Sequence, residues 1–166
     1  MRQEDKITEK SSLYHHLESK SVGELLEDIN REDHKVADAV KEALPQIEAL
    51  VVEAEKRMKR GGRVFYIGAG TSGRLGVLDA SELPPTFGVP STLVSGLIAG
   101  GDTALRNAVE NAEDMTAQGW ADLQKFEPTA DDTLIGIAAS GTTPYVIGAI
   151  REARAHHMLT GCITSN

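Results

Sequence analysis

Four short apolar runs, separated by stretches with helical character, are the feature that most restricts how this chain can fold. Apolar runs of this length that alternate with helices are typical of a parallel sheet covered by helices on both faces. The sequence from residue 61 onward therefore predicts an α/β fold of the Rossmann-like, three-layer αβα kind. The strands are predicted over residues 63–67, 92–98, 133–138 and 159–164. The helices between them are predicted over residues 72–83, 103–126 and 144–157.

Residues 1–60 lack this alternation and predict an N-terminal arm followed by helices. Ser21 and Glu24 have the spacing of a capping box, which predicts a short helix that ends near Ile29. Asn30 is then expected to cap a longer helix. Apolar residues at spacings of three and four predict that this longer helix is amphipathic and packs on its own core or on a partner. The stripe consists of Val36, Val40, Leu44, Ile47, Val51, Ala54 and Met58.

Proline and glycine mark the expected interruptions of these helices. Pro45 lies inside the amphipathic stripe and predicts a kink near Leu44. Gly61 and Gly62 are expected to stop the helix. The pair at residues 84–85, Pro-Pro, is expected to end the helix predicted over 72–83.

Charge and cysteine content restrict the partners and the compartment. The 166 residues carry a formal net charge of −8, which disfavours nucleic acid and anionic membranes as general partners because both require a basic face. No stretch approaches the roughly 20 apolar residues of a membrane span. Cys162 is the single cysteine, so no internal disulfide can form, and we expect a buried thiol in a cytoplasmic protein.

The stretch YIGAGTSGRLG at residues 66–76 matches a dinucleotide-binding fingerprint in its glycines. That fingerprint also requires an acidic residue roughly 20 positions further on, which binds the ribose hydroxyls. Residues 83–101 contain no Asp or Glu, which argues against a nicotinamide cofactor. The hydroxyls of Thr71 and Ser72 instead favour a sugar or its phosphate. The glycines of the pattern are Gly68, Gly70 and Gly73.

A second loop of similar texture, AASGTTPYV, follows the third predicted strand at residues 138–146. Backbone N–H groups at the start of the next helix, together with the hydroxyls of Ser140 and Thr143, would form a compact anion site around Gly141. The carboxyl ends of parallel strands meet at one edge, where such folds bind ligands. Neither loop contains a lysine, so a single phosphate on a polyhydroxy compound is favoured over a nucleoside triphosphate.

Several long motifs resemble the N-acetylmuramic acid 6-phosphate etherases, which are bacterial lyases built on the sugar isomerase (SIS) domain. The motifs are GAGTSGRLGVLDASELPPTFG, GLIAGGDTALRNAVENAED, GIAASGTTPYVIGA and the N-terminal ITEKSSLYHHLESKSVGELLEDINRED. The resemblance covers essentially all of the chain, and the family continues past its end. It implies an N-terminal helical segment over 1–60 and an SIS domain over 61–166 that lacks its C-terminal part.

The resemblance implies the removal of D-lactate from the C3 ether of N-acetylmuramic acid 6-phosphate, followed by addition of water. Such chemistry requires an acid and a base but no metal or redox cofactor. By motif position the two carboxylates are Glu82 and Glu113, with Asp79 as a neighbour that could influence the charge of Glu82. The resemblance also implies a homodimer. The residues expected to contact the sugar phosphate are Thr71, Ser72, Ser140, Gly141 and Thr143.

Two other functions stay open at the level of the sequence. One is a different SIS enzyme, such as a sugar-phosphate isomerase, and the other is a sugar-phosphate sensor without catalysis, in the manner of the glucokinase regulatory protein. Glu82 distinguishes them, because a sensor has no need for an acid at that position. The five histidines have no metal-ligand spacing, and no metal site is predicted.

Overall fold

The computed structural model describes residues 10–165 and contains one parallel sheet of four strands. The sheet has the order β2-β1-β3-β4, and all four predicted strands are confirmed to within two residues at either end. The first nine residues of the predicted arm and Asn166 lie outside the described residues. The strands are β1 (Val64–Gly68), β2 (Val94–Ile98), β3 (Thr133–Ile137) and β4 (Leu159–Ile163).

Helices cover both faces of the sheet, as the alternation predicted. The long helix α1 (Val22–Met58) precedes the sheet, and α2 (Gly70–Phe87) connects β1 to β2. The remaining helices are α3 (Thr103–Arg106), α4 (Gln118–Gln124) and α5 (Pro144–Ala155), with 3₁₀ turns at Leu17–Ser19 and Ala112–Asp114. Gly68 at the end of β1 lies opposite Ile98 and Ile137, so three strands end level with one another.

The alternation of side chains along the strands divides the core into two clusters. The larger cluster lies under α4 and α5 and contains the fully buried Phe65, Leu134 and Tyr145. The smaller cluster lies under α2, where Ala80 packs with Val94. Each large apolar side chain that is fully buried contributes about 1.5–3 kcal/mol to stability, so the larger cluster dominates the energetics of folding.

Helix α1 is one continuous helix, so the predicted break at Asn30 is wrong. The Ser21 capping box is confirmed, because Ser21 accepts from the Glu24 N–H and Glu24 accepts from the Ser21 N–H. Asn30 is tolerated because helix propensities differ by less than 1 kcal/mol between ordinary residues. Contact with the sheet is confined to the C-terminal half, where Leu50 packs on Gly161 and Met58 joins the smaller cluster.

The apolar stripe of α1 is largely exposed in this chain. Val36, Val40, Leu44 and Val51 have exposed fractions of 60%, 48%, 52% and 59%. The helix continues through Pro45. None of the helices described between residues 10 and 165 combines the length and the hydropathy needed to cross a bilayer.

Three further predictions are corrected by the structure. The single helix predicted over 103–126 is two short helices and a 3₁₀ turn, because Asn107 is extended and Asn111 is left-handed with φ 61°. Helix α2 does not end at Pro84 but continues to Phe87, and its C-cap Gly88 has a left-handed backbone and donates its N–H to the Pro84 carbonyl. Cys162 is exposed rather than buried, because β4 is the edge strand of the sheet.

The amino end of the sheet is joined by a buried ion pair between Asp132 and Arg63. Asp132 is only 1% exposed, and its Oδ2 accepts from Arg63 Nη2 and from the Thr129 N–H, both at 2.8 Å. Its Oδ1 accepts from the Arg63 backbone N–H at 2.7 Å. Arg63 precedes β1 and Asp132 precedes β3, so the pair fixes the two central strands in register. The hydrogen bonds satisfy a carboxylate that would be costly to bury alone.

Candidate functional site at the carboxyl ends of the strands

The glycines of the first loop allow α2 to approach the sheet closely. A Cβ on Gly68 would lie 2.6 Å from the Gly73 nitrogen, and a Cβ on Gly73 would lie 2.6 Å from Ile98 Cγ1. Gly70 has φ +55°, a left-handed conformation that glycine adopts without cost. Close packing between helix and strand therefore accounts for the pattern without a bound dinucleotide.

The second loop connects β3 to α5 and is held by hydroxyl groups. Ser140 Oγ and Thr142 Oγ1 lie 3.0 Å apart, and the Thr142 N–H donates to Ser140 Oγ at 3.3 Å. Gly141 has φ +67° and donates to the Ala138 carbonyl. Thr143 is the N-cap of α5 but makes no side-chain capping bond, so its hydroxyl stays available beside the first N–H groups of the helix.

The two loops are neighbours because their strands pair. Gly68 lies opposite Ile137 in the β1–β3 register, and adjacent strands are roughly 4.8 Å apart. A ligand that binds at the β3 loop therefore reaches the β1 loop within a few bond lengths. This arrangement is the crevice that open parallel sheets offer at the carboxyl ends of their strands.

A small cavity of about 210 Å³ lies beside the first loop. Ala69 and Gly70 form one wall, and the segment 108–113 forms the other. This segment brings in Glu110 and Glu113. Arg74, in the second turn of α2, also lines the cavity, and its Nε donates to the Leu105 carbonyl at 3.1 Å. Ala99 and Ala104 line the remainder.

A larger cavity of about 670 Å³ lies on the other side of the segment 109–112. Its walls are mainly apolar. Among its polar lining residues, Asp122 accepts from Tyr145 Oη at 2.9 Å and from Lys125 Nζ at 2.8 Å. Burial and the bond to Asp122 raise the pKa of Tyr145 far above its ordinary value, so its proton stays in place. These paired groups mark a structural network, and we assign the chemistry to the smaller cavity.

The structure brings some of the predicted site residues together and leaves others apart. Glu113 lies in the 3₁₀ turn and lines the small cavity near Gly70. Glu82 is exposed near the far end of α2 and lines neither cavity. Twelve residues separate Gly70 from Glu82, which corresponds to roughly 18 Å along a helix. The two carboxylates therefore do not share a cavity within one chain.

The other predicted contacts lie around the rim of the crevice. Thr71 is exposed and Ser72 is half-buried in the first turn of α2. Ser140, Gly141 and Thr143 are half-buried at the second loop, and none of these five residues lines the small cavity. Asp79 is engaged elsewhere, because burial and a hydrogen bond to Asp79 raise the pKa of Tyr66 to about 12.

Between residues 10 and 165, no group of three or more His, Cys, Asp or Glu side chains is arranged to hold an ion.

Comparison with known families identifies the class of the domain. The model described as the glucokinase regulatory protein N-terminal SIS domain matches residues 44–154. The chain therefore belongs to this SIS-domain family, in agreement with the predicted fold class.

Three proteins similar to this chain in sequence share one enzyme name. The N-acetylmuramic acid 6-phosphate etherase of Bacteroides thetaiotaomicron is 70% identical over 161 residues, which cover 97% of this chain and 58% of the relative. The etherase of Porphyromonas gingivalis is 67% identical over 162 residues, with 98% and 59% covered. That of Christiangramia forsetii is 62% identical over 164 residues, with 99% and 60% covered. The predicted resemblance is thereby confirmed, and the chain spans about three fifths of the length of these relatives.

Solved structures support the fold. A phosphoheptose isomerase from Francisella tularensis superposes with a TM-score of 0.61 at 24% identity, covering 84% of this chain and 74% of that one. The phosphoheptose isomerase from Neisseria gonorrhoeae gives 0.57 at 21% identity with the same coverage. At this identity the likeness concerns the αβα architecture alone.

Proposed function

We propose that this chain is the N-terminal portion of an N-acetylmuramic acid 6-phosphate etherase, a carbon–oxygen lyase that acts in amino sugar catabolism and peptidoglycan recycling. The observation that carries the proposal is the position of Glu113 in the cavity beside the first glycine loop, in a chain up to 70% identical to proteins of that name. Because its substrate would be a sugar phosphate of intracellular metabolism, we also propose a cytoplasmic location.

The chemistry is an elimination followed by an addition. In the open-chain sugar, the C1 aldehyde makes the C2 proton acidic, and the C3 ether lies β to that carbonyl. A base removes the C2 proton, the C3–O bond breaks, and an acid protonates the departing D-lactate oxygen, which leaves a C2–C3 double bond. Water then adds its oxygen at C3 and a proton at C2 to give N-acetylglucosamine 6-phosphate. Two carboxylates suffice for these proton transfers.

We assign the base to Glu113 and the acid to Glu82. Glu113 lies in the cavity that would hold C2 and C3, and the phosphate would bind to the N–H groups and hydroxyls of Ser140, Gly141 and Thr143. Thr71 and Ser72 would contact the sugar from the first loop. No cofactor is required in this scheme.

The position of Glu82 favours a homodimer in which each site is completed by the partner. Leu75, Leu78 and Glu82 recur at helical spacing on one face of α2, and all three are exposed, the leucines at 55% and 57%. Apolar side chains on such a ridge are typical of an interface. Antiparallel pairing of this ridge about a twofold axis near Leu78 brings the partner's Glu82 level with Arg74, in the second turn of α2 at the wall of the small cavity.

Release of D-lactate tests the proposed activity. The full-length protein, of which this chain is the N-terminal portion, is purified and incubated with N-acetylmuramic acid 6-phosphate, and lactate is measured with a D-specific dehydrogenase. N-acetylmuramic acid without phosphate serves as the control and should react far more slowly, because the second loop then has no anion to bind. Absence of D-lactate with the phosphorylated sugar would contradict the proposal.

Subunit mixing tests the shared site. The variants Glu82→Ala and Glu113→Ala are each expected to be inactive, and they are unfolded and refolded together in equal amounts. If Glu82 acts in the partner's site, half of the dimers contain one intact site, which restores about a quarter of the wild-type rate. If Glu82 and Glu113 instead act in the site of their own chain, the mixed dimers should show no activity. That result would exclude the shared site.

A sensor without catalysis is the second candidate, because the matching family model is named for a regulatory protein. A sensor would bind the sugar phosphate at the same loops and release no lactate. Binding of N-acetylmuramic acid 6-phosphate measured by calorimetry, without lactate release in the assay above, would select this function.

A further inference from the structure

Arg74 has a capacity for binding that the fold does not use. Its side chain is half-buried in the wall of the small cavity, and the hydrogen bond from Nε to the Leu105 carbonyl fixes the guanidinium there. That bond is the one interaction that Arg74 makes within residues 10–165. The two terminal amino groups, Nη1 and Nη2, are therefore unpaired among the described residues. A planar pair of donors of this kind matches the two oxygens of a carboxylate.

The charges around the cavity indicate what Arg74 can bind. Glu110 and Glu113 line the same cavity, and Arg74 is the cationic residue among its described lining. Two carboxylates repel any anion that enters, and the chain as a whole carries a net charge of −8. The guanidinium of Arg74 offsets this repulsion for an anionic group held beside Glu113.

We propose that Arg74 binds the carboxylate of the D-lactyl group and so selects sugars that carry this ether. The inference rests on the proposed function, because it takes the lactyl sugar as the ligand. With the phosphate at the β3 loop, three carbon–carbon bonds separate C6 from C3, a span comparable with the spacing of roughly 4.8 Å from β3 to its neighbour β1. The lactyl group on C3 then points into the cavity that Arg74 lines. Arg74 orients the leaving group and exchanges no proton.

Binding of two unreactive sugars tests this assignment separately from turnover. Reduction of C1 to an alcohol removes the acidity of the C2 proton, so reduced N-acetylmuramic acid 6-phosphate binds but cannot eliminate. Reduced N-acetylglucosamine 6-phosphate is identical except that it lacks the lactyl group. Calorimetry with both sugars measures what the lactyl carboxylate contributes to affinity.

The wild type should bind the lactyl sugar more tightly, and Arg74→Gln should weaken that binding about ten- to hundredfold, as expected for a charge-assisted pair. The lactyl-free sugar should bind to Arg74→Gln within about twofold of wild type. Arg74→Lys, which keeps the charge but loses the planar fork, should fall between the two. Arg106→Gln is the matched control, because Arg106 is exposed and lies outside the cavity.

Three results would overturn the assignment: equal weakening of both sugars by Arg74→Gln, unchanged affinity for both, or a wild type that does not distinguish them. Equal weakening would place Arg74 at the phosphate or in the fold. Failure of the proposed function is a different result, because it shows as absence of D-lactate release while the binding comparison still gives an answer. Circular dichroism of each variant confirms that it is folded.

Discussion

Both ends of the sheet carry arginine and acidic residues, but these residues are paired at the amino end and unpaired with one another at the carboxyl end. At the amino end, Arg63 and Asp132 form a closed set of hydrogen bonds, and Arg60 pairs with Asp131 at 2.7 Å. At the carboxyl end, Arg74 and Glu113 line the same cavity without an ion pair between them. The first arrangement leaves nothing for a ligand to bind, whereas the second leaves charge and donors in place.

This difference in pairing places residues that matter for stability at the amino end of the sheet and residues that matter for ligand binding at the carboxyl end. A satisfied pair that joins two strands costs stability when it is broken, because one charge then remains buried and alone. Removal of a side chain that has no partner in a cavity changes the free energy of unfolding little, but it lowers the affinity for the ligand. Substitutions at the amino end should therefore change unfolding, and those at the carboxyl end should change binding and turnover.

The largest effect is expected at Glu113. Glu113→Ala should reduce D-lactate release by a hundredfold or more, as expected for loss of a base, while the free energy of unfolding changes by less than about 0.5 kcal/mol. In deuterated water it should also lose exchange of the C2 proton. Glu82→Ala should lose lactate release but can retain that exchange, because exchange requires only the base.

Near wild-type lactate release by both variants would show that neither residue is catalytic. If Glu113→Ala exchanges the C2 proton normally while Glu82→Ala does not, the acid and the base are reversed.

Asp132→Asn should produce the next largest effect, and at the opposite end of the sheet. Removal of the negative charge leaves Arg63 without its partner, and we expect a loss of about 3 kcal/mol in the free energy of unfolding. Urea denaturation measures this loss. The affinity for the sugar phosphate at low urea should stay within about twofold. Asp131→Asn is the matched control, because its partner Arg60 is 52% exposed and such pairs contribute less than about 1 kcal/mol.

A smaller effect is expected at the second loop. Ser140→Ala removes a hydroxyl that would bind the phosphate, and should weaken binding of N-acetylglucosamine 6-phosphate by about 1–2 kcal/mol. The contact of Ser140 Oγ with Thr142 Oγ1 is lost as well, so urea denaturation of the variant separates a change in folding from a change in binding. Unchanged affinity by calorimetry would exclude the second loop as the phosphate site.

The smallest effect concerns pH. Burial alone would raise the pKa of Asp132, but the hydrogen bonds from Arg63 and Thr129 outweigh it and hold that pKa below its ordinary value. A lowered pKa in the folded state contributes stability above the unfolded pKa of about 3.9, and this contribution is lost as the pH falls through the folded pKa. The urea midpoint of the wild type should therefore fall below about pH 4. Asp132→Asn should show a shallower fall, and an identical slope would contradict this role.

The sequence predicts the sheet well because each strand is a short apolar run, and such runs occur where a strand is buried on both faces. The helices are less predictable where local and tertiary preferences compete. Asn30 favours caps in isolation, yet α1 passes through it. Asn111 does break the predicted helix, because its left-handed backbone turns the segment toward the cavity. The same residue type thus gives opposite results, and only the tertiary contacts decide between them.

The sequence predicts which loops form the candidate site, but it predicts less well which side chains line the cavity. Gly70 and Glu113 are brought together as the motifs imply. The distance between Glu82 and the cavity follows from the twelve residues of helix between Gly70 and Glu82, and the helix predicted over 72–83 already contains Glu82. Arg74 stands inside the first glycine motif, and its signal was a cation beside a loop that otherwise contains hydroxyls and glycines.

The length of α1 has a consequence for local opening. A helix of 37 residues measures roughly 55 Å, several times the reach of a five-residue strand, so its N-terminal half cannot rest on the sheet. In a single chain, amide protons there are protected by the helix itself, by the Ser21 cap and by the few contacts that Tyr14 and Lys20 make with Glu32 and Asp28, and should exchange with solvent much faster than those of the core. Those near Leu50 and Met58 should exchange as slowly as the core. Slow exchange along the whole helix would reveal that a second surface covers its apolar stripe.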